Sequence, residues 1–318
     1  MDMTAVLQNI IASALIYSAP LILTALGGMF SERSGVVNVG LEGIMVVGAF
    51  TGVVFNLTFA EQFGSWTPWV AMFVAGLAGV VFSLFHAVAT INWRADHIIS
   101  GTVINLLAPA LTLFLTFIIY GRKQTDYIPV SFGYFTVPFL SDIPVIGPIL
   151  FRNTSAPAIF GIIVSIICSF VLFKTRFGLR LRAVGEHPQA ADTLGIDVYK
   201  MKYAGVLLSG LLAGMGGAIQ SQAIGINFSA SSISGQGFIA LAAMIFGKWN
   251  PIGAMGAAIF FGFSQSLAVS GGYVPIIRDI PSVWLQMAPY LLTIIALVFV
   301  IGGSKGPAAN GKTYIKSK

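Results

Sequence analysis

Long apolar runs dominate the chain, and polar residues gather in short intervals between them. Runs at 8–27, 36–58, 67–91, 97–120, 157–174, 201–222, 251–270 and 284–303 fall near the roughly 17–25 residues that a membrane-crossing helix needs. They predict an all-α polytopic membrane protein. The run at 235–247 is apolar but too short to cross alone, so it predicts a broken or re-entrant segment. Glycines crowd the start of the second run (Gly35, Gly40, Gly43 and Gly48) and predict a broken or distorted helix there. The interval 121–156 holds Pro129, Pro138, Pro144 and Pro148, which forbid a continuous helix.

Charge sets the orientation. Lys174, Arg176, Arg180, Arg182, Lys200 and Lys202 in and around the 175–200 loop, and Lys305, Lys312, Lys316 and Lys318 in the tail, place both on the cytoplasmic side. Arg33 and Arg94 then fall inside and Glu61 outside, with Arg122, Lys123 and Arg152 dissenting. The expectation is about nine (8–10) transmembrane segments, counting 235–247 as a crossing, with the N-terminus outside and the C-terminus inside. Residues 1–304 form one transmembrane domain with a cytoplasmic loop at 175–200, and 305–318 a basic cytoplasmic tail. Gly40-Leu41-Glu42-Gly43 and Ser234-Gly235-Gln236-Gly237 each open an apolar segment, and each is followed by a proline-started span at Pro68 or Pro251. Five segments apart, they predict an inverted repeat.

Composition excludes a soluble fold. Hydrophobic residues make up 56% and charged residues 9%, against about 25% charged in soluble domains. The formal charge of +6 fits loops at an anionic membrane better than nucleic-acid binding. Cys168 is the single cysteine, so one chain forms no disulfide. No Lys or Arg precedes the first apolar run, so a cleaved signal peptide is not expected.

Glu42 sits inside an apolar run, where an acidic residue costs roughly 2.5–3.5 kcal/mol on insertion scales. It is either a pathway or gate residue, or a structural tie that caps broken-helix N–H groups or pairs with Asn38. Gly306–Thr313 matches the P-loop pattern, but only five residues follow and no βα unit can form. It reads as a basic, solvated tail, and the chain has no ATP site of its own. In the 175–200 loop, Pro188 suits a helix start and Gly195 the residue after its end, which predicts a helix over 188–194. With Ala190, Ala191, Leu194 and Ile196 it is either a docking device for another protein's groove or an ordinary surface loop. No metal-ligand spacing links His86, His97 and His187.

Residues 31–50 (S-E-R-S-G-V-V-N-V-G-L-E-G-I-M-V-V-G-A-F) and 182–196 (R-A-V-G-E-H-P-Q-A-A-D-T-L-G-I) resemble the two signature stretches of ABC-importer permeases that handle branched-chain amino acids, simple sugars and nucleosides. The S-E-R lead and the Glu42-Gly43 pair most resemble the nucleoside (or simple-sugar) branch. Residues 234–238 and Asn250-Pro251-Ile252-Gly253 also fit. The resemblance implies one of two related but different permease subunits in a bacterial cell membrane. It implies a coupling helix that docks an ATP-binding subunit through Val184, Gly185, Glu186, Pro188, Ala190, Ala191, Leu194, Gly195 and Ile196. It further implies an extracytoplasmic substrate-binding protein, periplasmic or lipid-anchored. This chain would bind no cofactor; ATP and Mg would sit on the partner ATPase. It would be a transport subunit, with no enzyme chemistry and no nucleic acid as partner.

A neutral polar substrate calls for hydrogen-bonding side chains without strong charge. Asn38, Glu42, Asn105, Gln220, Gln222, Asn227 and Gln236 are the candidates for the pathway, and each could instead tie helices together. A nucleoside importer permease is the leading reading, with simple sugars the alternative substrate. An ion-coupled secondary carrier is the alternative of a different class, disfavoured by the scarcity of membrane carboxylates. A passive facilitator would need no docking helix.

Overall fold

The computed structural model describes residues 3–136, 154–229, 231–270 and 306–316, with the isolated positions 141, 147, 284, 287, 291 and 294. The described chain is mostly helical. Its helices are α1 (Met3–Arg33), α2 (Leu41–Phe63), α3 (Thr67–Ala87), α4 (His97–Tyr120), α5 (Ala156–Lys174), α6 (Arg176–Glu186), α7 (Pro188–Thr193), α8 (Val198–Ile219), α9 (Gln236–Phe246) and α10 (Pro251–Ser270). Helices α3 and α8 run on into π-helical turns, Val88–Asn92 and Gln220–Gly225. Two short strands, β1 (Tyr134–Phe135) and β2 (Thr154–Ser155), pair antiparallel.

Local chemistry sets several ends. Asp96 caps α4 by accepting from the N–H groups of Ile98 and Ile99, and Gly121 closes it in a left-handed conformation. Pro68 and Pro157 sit in first turns, where a missing N–H costs nothing. Pro20 and Pro109 lie inside α1 and α4.

Six stretches among the described residues are long and apolar enough to cross a membrane. One of them, Leu41–Asn92, reverses at Gly64 (φ 52°), so that α2 and α3 pack on each other. Most of the expected span at 284–303 and most of 137–153 lie outside the described residues, and the described residues do not reach the expected nine segments.

Helix α8 is the axis of the bundle, contacted by α1, α2 and α3. Its small residues let the backbones meet. A Cβ added at Gly48 would lie 2.1 Å from the carbonyl oxygen of Gly214. The sequence expectation holds only at the start of the run: residues 34–40 are non-helical with Gly35 left-handed, but α2 is continuous from Leu41 to Phe63 through Gly43 and Gly48. Away from water a helix's own carbonyls are the available partners for its N–H groups, so glycines shape the contact surface without breaking the helix. Phe73, Leu77, Leu106, Phe117, Ile166 and Phe170 stand exposed on α3, α4 and α5, a surface suited to lipid.

One end of the bundle carries Arg33, α6, α7 and the start of α8; it is the basic end. At the opposite end, the N–H of Thr125 donates to Phe228 O at 2.9 Å and that of Ile128 to Ile226 O at 2.9 Å. The tail meets its expectation only in part. Residues 306–316 form turns on the basic end, where Pro307, Ala309 and Tyr314 are buried while Ala308, Gly311, Lys312, Thr313, Ile315 and Lys316 are exposed.

Candidate transport pathway and docking face

Helix α9 has 11 residues, about 16 Å at 1.5 Å per residue and half of a ~30 Å hydrocarbon core. Both its ends therefore need partners from the protein. At its N-terminus Gly235 is left-handed (φ 77°). The N–H groups of Gly235 and Gly237 each donate to a different oxygen of Glu42, at 2.6 Å in both cases. A carboxylate there meets both the unpaired donors and the positive end of the helix dipole. Gly237 has to be small, since a Cβ on it would lie 2.5 Å from the Glu42 nitrogen. At the other end the chain turns through Lys248 and Trp249, both with positive φ (56° and 52°). Arg33 holds this turn by donating from Nε and Nη2 to Trp249 O at 3.1 and 2.9 Å. Trp249 Nε1 donates to Glu32 Oε2 at 2.6 Å.

Asn38 and Asn105 belong to the same inner region. Asn38 is fully buried; its Oδ1 accepts from Gly40 N at 3.1 Å and its Nδ2 donates to Ser209 Oγ at 3.0 Å. Asn105 Oδ1 accepts from Gly43 N at 2.8 Å, and its Nδ2 donates to Val39 O at 2.9 Å. Gln236 Oε1 accepts from Gln265 Nε2 at 3.2 Å. Each of these amides makes a hydrogen bond to backbone or to a neighbouring helix. His86, fully buried, stands beside them with Nε2 3.0 Å from Val37 O and Nδ1 2.9 Å from Ser100 Oγ.

The other candidates form a separate group toward the opposite end. Gln222 is fully buried; its Oε1 accepts from Asn56 Nδ2 at 2.7 Å and its Nε2 donates to Ala218 O at 3.3 Å. Asn56 also donates to Val130 O at 2.7 Å. Gln220 and Asn56 each present a side-chain oxygen that is buried without a hydrogen-bond partner. Asn227 is partly buried in the stretch after the π-helical turn. Asn56 escaped the sequence reading. Its only signal is that it is an amide inside the apolar run of α2, 14 residues or about 21 Å along the helix from Glu42. The seven sequence candidates thus lie in two clusters, one around residues 38–43 and the start of α9, the other around Gln222.

The basic end presents α7. Thr193 ends the helix with Gly195 left-handed (φ 77°). Gly195 N donates to Asp192 O at 2.9 Å and Ile196 N to Ala191 O at 3.0 Å, the paired bonds of a Schellman end. Pro188 and Ala191 face inward with Val184 and Gly185. Ala190 and Gly195 are exposed, Leu194 is 81% exposed, and Ile196 is partly buried. Glu186 is exposed and accepts from Ala308 N at 3.1 Å. A short helix thus offers a small, largely apolar tip. Next to it opens a cleft of ≈ 720 Å³ lined by residues including Asp192, Ile196, Tyr199, Tyr203 and Lys316. Asp197, beyond α7, caps α8; the Lys200 N–H that it accepts holds its carboxyl below the usual range. Among the described residues, no group of His, Cys, Asp or Glu could hold a metal ion.

Residues 10–301 match the family described as branched-chain amino acid transport system / permease component. The chain belongs to this permease family. Within it, the chain is 61% identical to the nucleoside ABC transporter permease protein NupC of Lactococcus lactis subsp. cremoris, over 318 residues and all of both chains. It is 55% identical to the guanosine ABC transporter permease protein NupQ of Bacillus subtilis, again over 318 residues and all of both chains. A second Lactococcus lactis protein, the nucleoside ABC transporter permease protein NupB, is 27% identical over 266 residues, 78% of this chain and 69% of its own length. Membership of the permease family accords with the multi-pass architecture of the described residues.

Proposed function

We propose that this chain is a membrane permease subunit of an ATP-driven nucleoside importer. One observation carries the proposal: identity of 61% and 55% along the whole chain to permeases named for nucleosides and guanosine. The geometry supports it in two places. Amide side chains and a clamped carboxylate in the two clusters described above suit a neutral polar solute. An exposed six-residue helix with Leu194 at its tip suits docking into another protein's groove.

In this reading α7 and its flanks, Val184 to Ile196, form the coupling helix on an ATP-binding subunit. ATP and Mg bind there, and this chain hydrolyses nothing. A second, related permease supplies the other half of the path; the presence of two such relatives in one organism, NupC and NupB, supports a heterodimer. An extracytoplasmic binding protein delivers the substrate. Residues 1–304 act as one permease domain in a bacterial cell membrane, with the basic end in the cytoplasm and the N-terminus outside. The meeting of Glu42 with Gly235 and Gly237 supports an inverted repeat, because both glycine-flanked openings converge inside the bundle; about nine segments remain the proposed count.

The test is purification of the tagged chain with its partners, followed by uptake into ATP-loaded vesicles. The expected result is a second permease and an ATPase in the complex, with ATP-dependent uptake of guanosine and other nucleosides that glucose does not compete for. Uptake of glucose alone would move the chain to the sugar branch. Uptake driven by an ion gradient without ATP would overturn the importer.

A further inference from the structure

The stretch 306–316 has no helix or strand among its described residues, yet its backbone groups reach separate parts of the bundle. Ala309 N donates to Gly185 O at 2.9 Å, at the end of α6. Gly311 N donates to Gly35 O at 3.3 Å, in the turn after α1. Lys202 Nζ, on α8, donates to Lys312 O at 3.5 Å. A merely solvated segment would leave these groups to water.

Its two flanks touch two different working parts. Tyr314 is 5% exposed and shares an apolar cluster with Val184, Ala191 and Val198, its ring 5.7 Å from that of Tyr199. Ala191 is on the inward face of α7, so Tyr314 is packed behind the docking helix. At the other flank Asn310 Nδ2 donates to Glu32 Oε2 at 3.0 Å, the same oxygen that accepts from Trp249 Nε1. Gly306 lies against the Trp249 ring, where an added Cβ would be 3.0 Å from Cζ2. Trp249, like Lys248, is left-handed in the α9–α10 turn, and the other end of α9 is held by Glu42.

We propose that residues 306–316 are a transmission strap, which ties the back of α7 to the Trp249 turn and so passes a displacement of α7 on to α9. The strap rests on the reading of α7 as the ATPase seat. Its physical content is a connected path: α7 to Tyr314, the covalent chain through the exposed residues 311–313 to Asn310, Asn310 to Glu32, Glu32 to Trp249, and Trp249 to α9. Tyr314 and Asn310 are positioning residues, since neither is part of the amide clusters nor of the exposed tip of α7.

The experiment uses the whole reconstituted importer and reads guanosine imported per ATP hydrolysed. Tyr314→Ala unfastens the α7 flank, Asn310→Ala opens the link to Glu32, and Tyr314→Phe keeps the ring. In both alanine variants the ratio is expected to fall at least about 5-fold, the lower end of ordinary coupling factors. Subunit stoichiometry and basal ATP hydrolysis stay at the level of the unaltered complex, and Tyr314→Phe restores the ratio. The double alanine variant is expected to be no worse than the worse single one, because both cut one chain of contacts. An unchanged ratio in both singles, additive losses in the double, or loss of the ATPase from both complexes would overturn the strap. Failure of the unaltered complex to link guanosine uptake to ATP at all would instead overturn the importer reading, before any variant is compared.

Discussion

Replacing Glu42 probes the clamp on α9 directly. Its two oxygens each accept one N–H, from Gly235 and Gly237, at 2.6 Å. Hydrogen bonds to a charged group contribute about 1.5–3 kcal/mol each. Glu42→Ala removes both, about 3–6 kcal/mol of attachment. Glu42→Gln keeps one acceptor and turns an NH₂ toward the remaining N–H, so it forfeits about one bond, roughly 1.5–3 kcal/mol. Since 1.4 kcal/mol is tenfold in an equilibrium, the glutamine variant shifts the balance between clamped and released α9 by about 10- to 150-fold. Alanine shifts it further. The assay is initial-rate uptake of labelled guanosine, normalised to the amount of permease that co-purifies with its partners. The expected order is wild type above Gln above Ala, with assembly reduced less than uptake. Equal loss in Gln and Ala would indicate that the negative charge matters and the clamp does not. Uptake at the wild-type rate by Glu42→Ala would falsify the clamp outright.

Gly48→Val places a Cβ where Gly214 O stands 2.1 Å away, so α2 and α8 must separate; the expected outcome is loss of folded, extractable protein, measured by size-exclusion chromatography of a fluorescent fusion. Gly195→Val forces a β-branched residue to φ 77°, at a cost of about 1–3 kcal/mol, and unravels the end of α7; uptake per ATP is expected to fall while extraction yield holds, as it is for the charged tip Ala190→Asp. Asn56→Leu leaves Gln222 Oε1 and Val130 O without their donor, at about 1–3 kcal/mol for each stranded buried group; a lower thermal midpoint in detergent checks it.

The positions of the spans were legible because run length and hydropathy carry that information locally. Expected boundaries at 157–174 and 251–270 meet α5 and α10 within a residue. The fate of polar residues inside the runs was less legible. Glu42 stood out as a costly carboxylate, and capping of broken-helix N–H groups was one of its two structural readings. The donors themselves, 193 and 195 residues away, carry no local sign of the pairing. Asn56 passed unnoticed because one amide in an apolar run has no pattern, while its value comes from Gln222 and Val130. The tail misled for a physical reason. Lysines, glycines and a proline look like a solvated end, and six residues of 306–316 are exposed, but the burial of Pro307, Ala309 and Tyr314 depends on distant groups that no composition reveals. The glycines of α2 misled in the same way, since in water they would weaken a helix and between packed helices they set how near the next one comes.

One stretch of sequence accounts for both ends of α9. Glu32 and Arg33 close α1, Glu42 opens α2, and residues 34–40 between them are without helix or strand. An 11-residue helix leaves its first N–H groups and last carbonyls without internal partners, and in a membrane water does not supply them. Glu42 brings negative charge to the N-terminus of α9; Arg33 brings positive charge to the carbonyl of Trp249, just past its C-terminus. Each sign complements the helix dipole at the end it meets. The signature S-E-R…E-G is therefore a splint cut to the length of α9. Helix α9 also packs along α1 and α10, with Ile239, Ala240, Ala243 and Met244 buried, so in the proposed strap a pull on its Trp249 end moves it together with those neighbours.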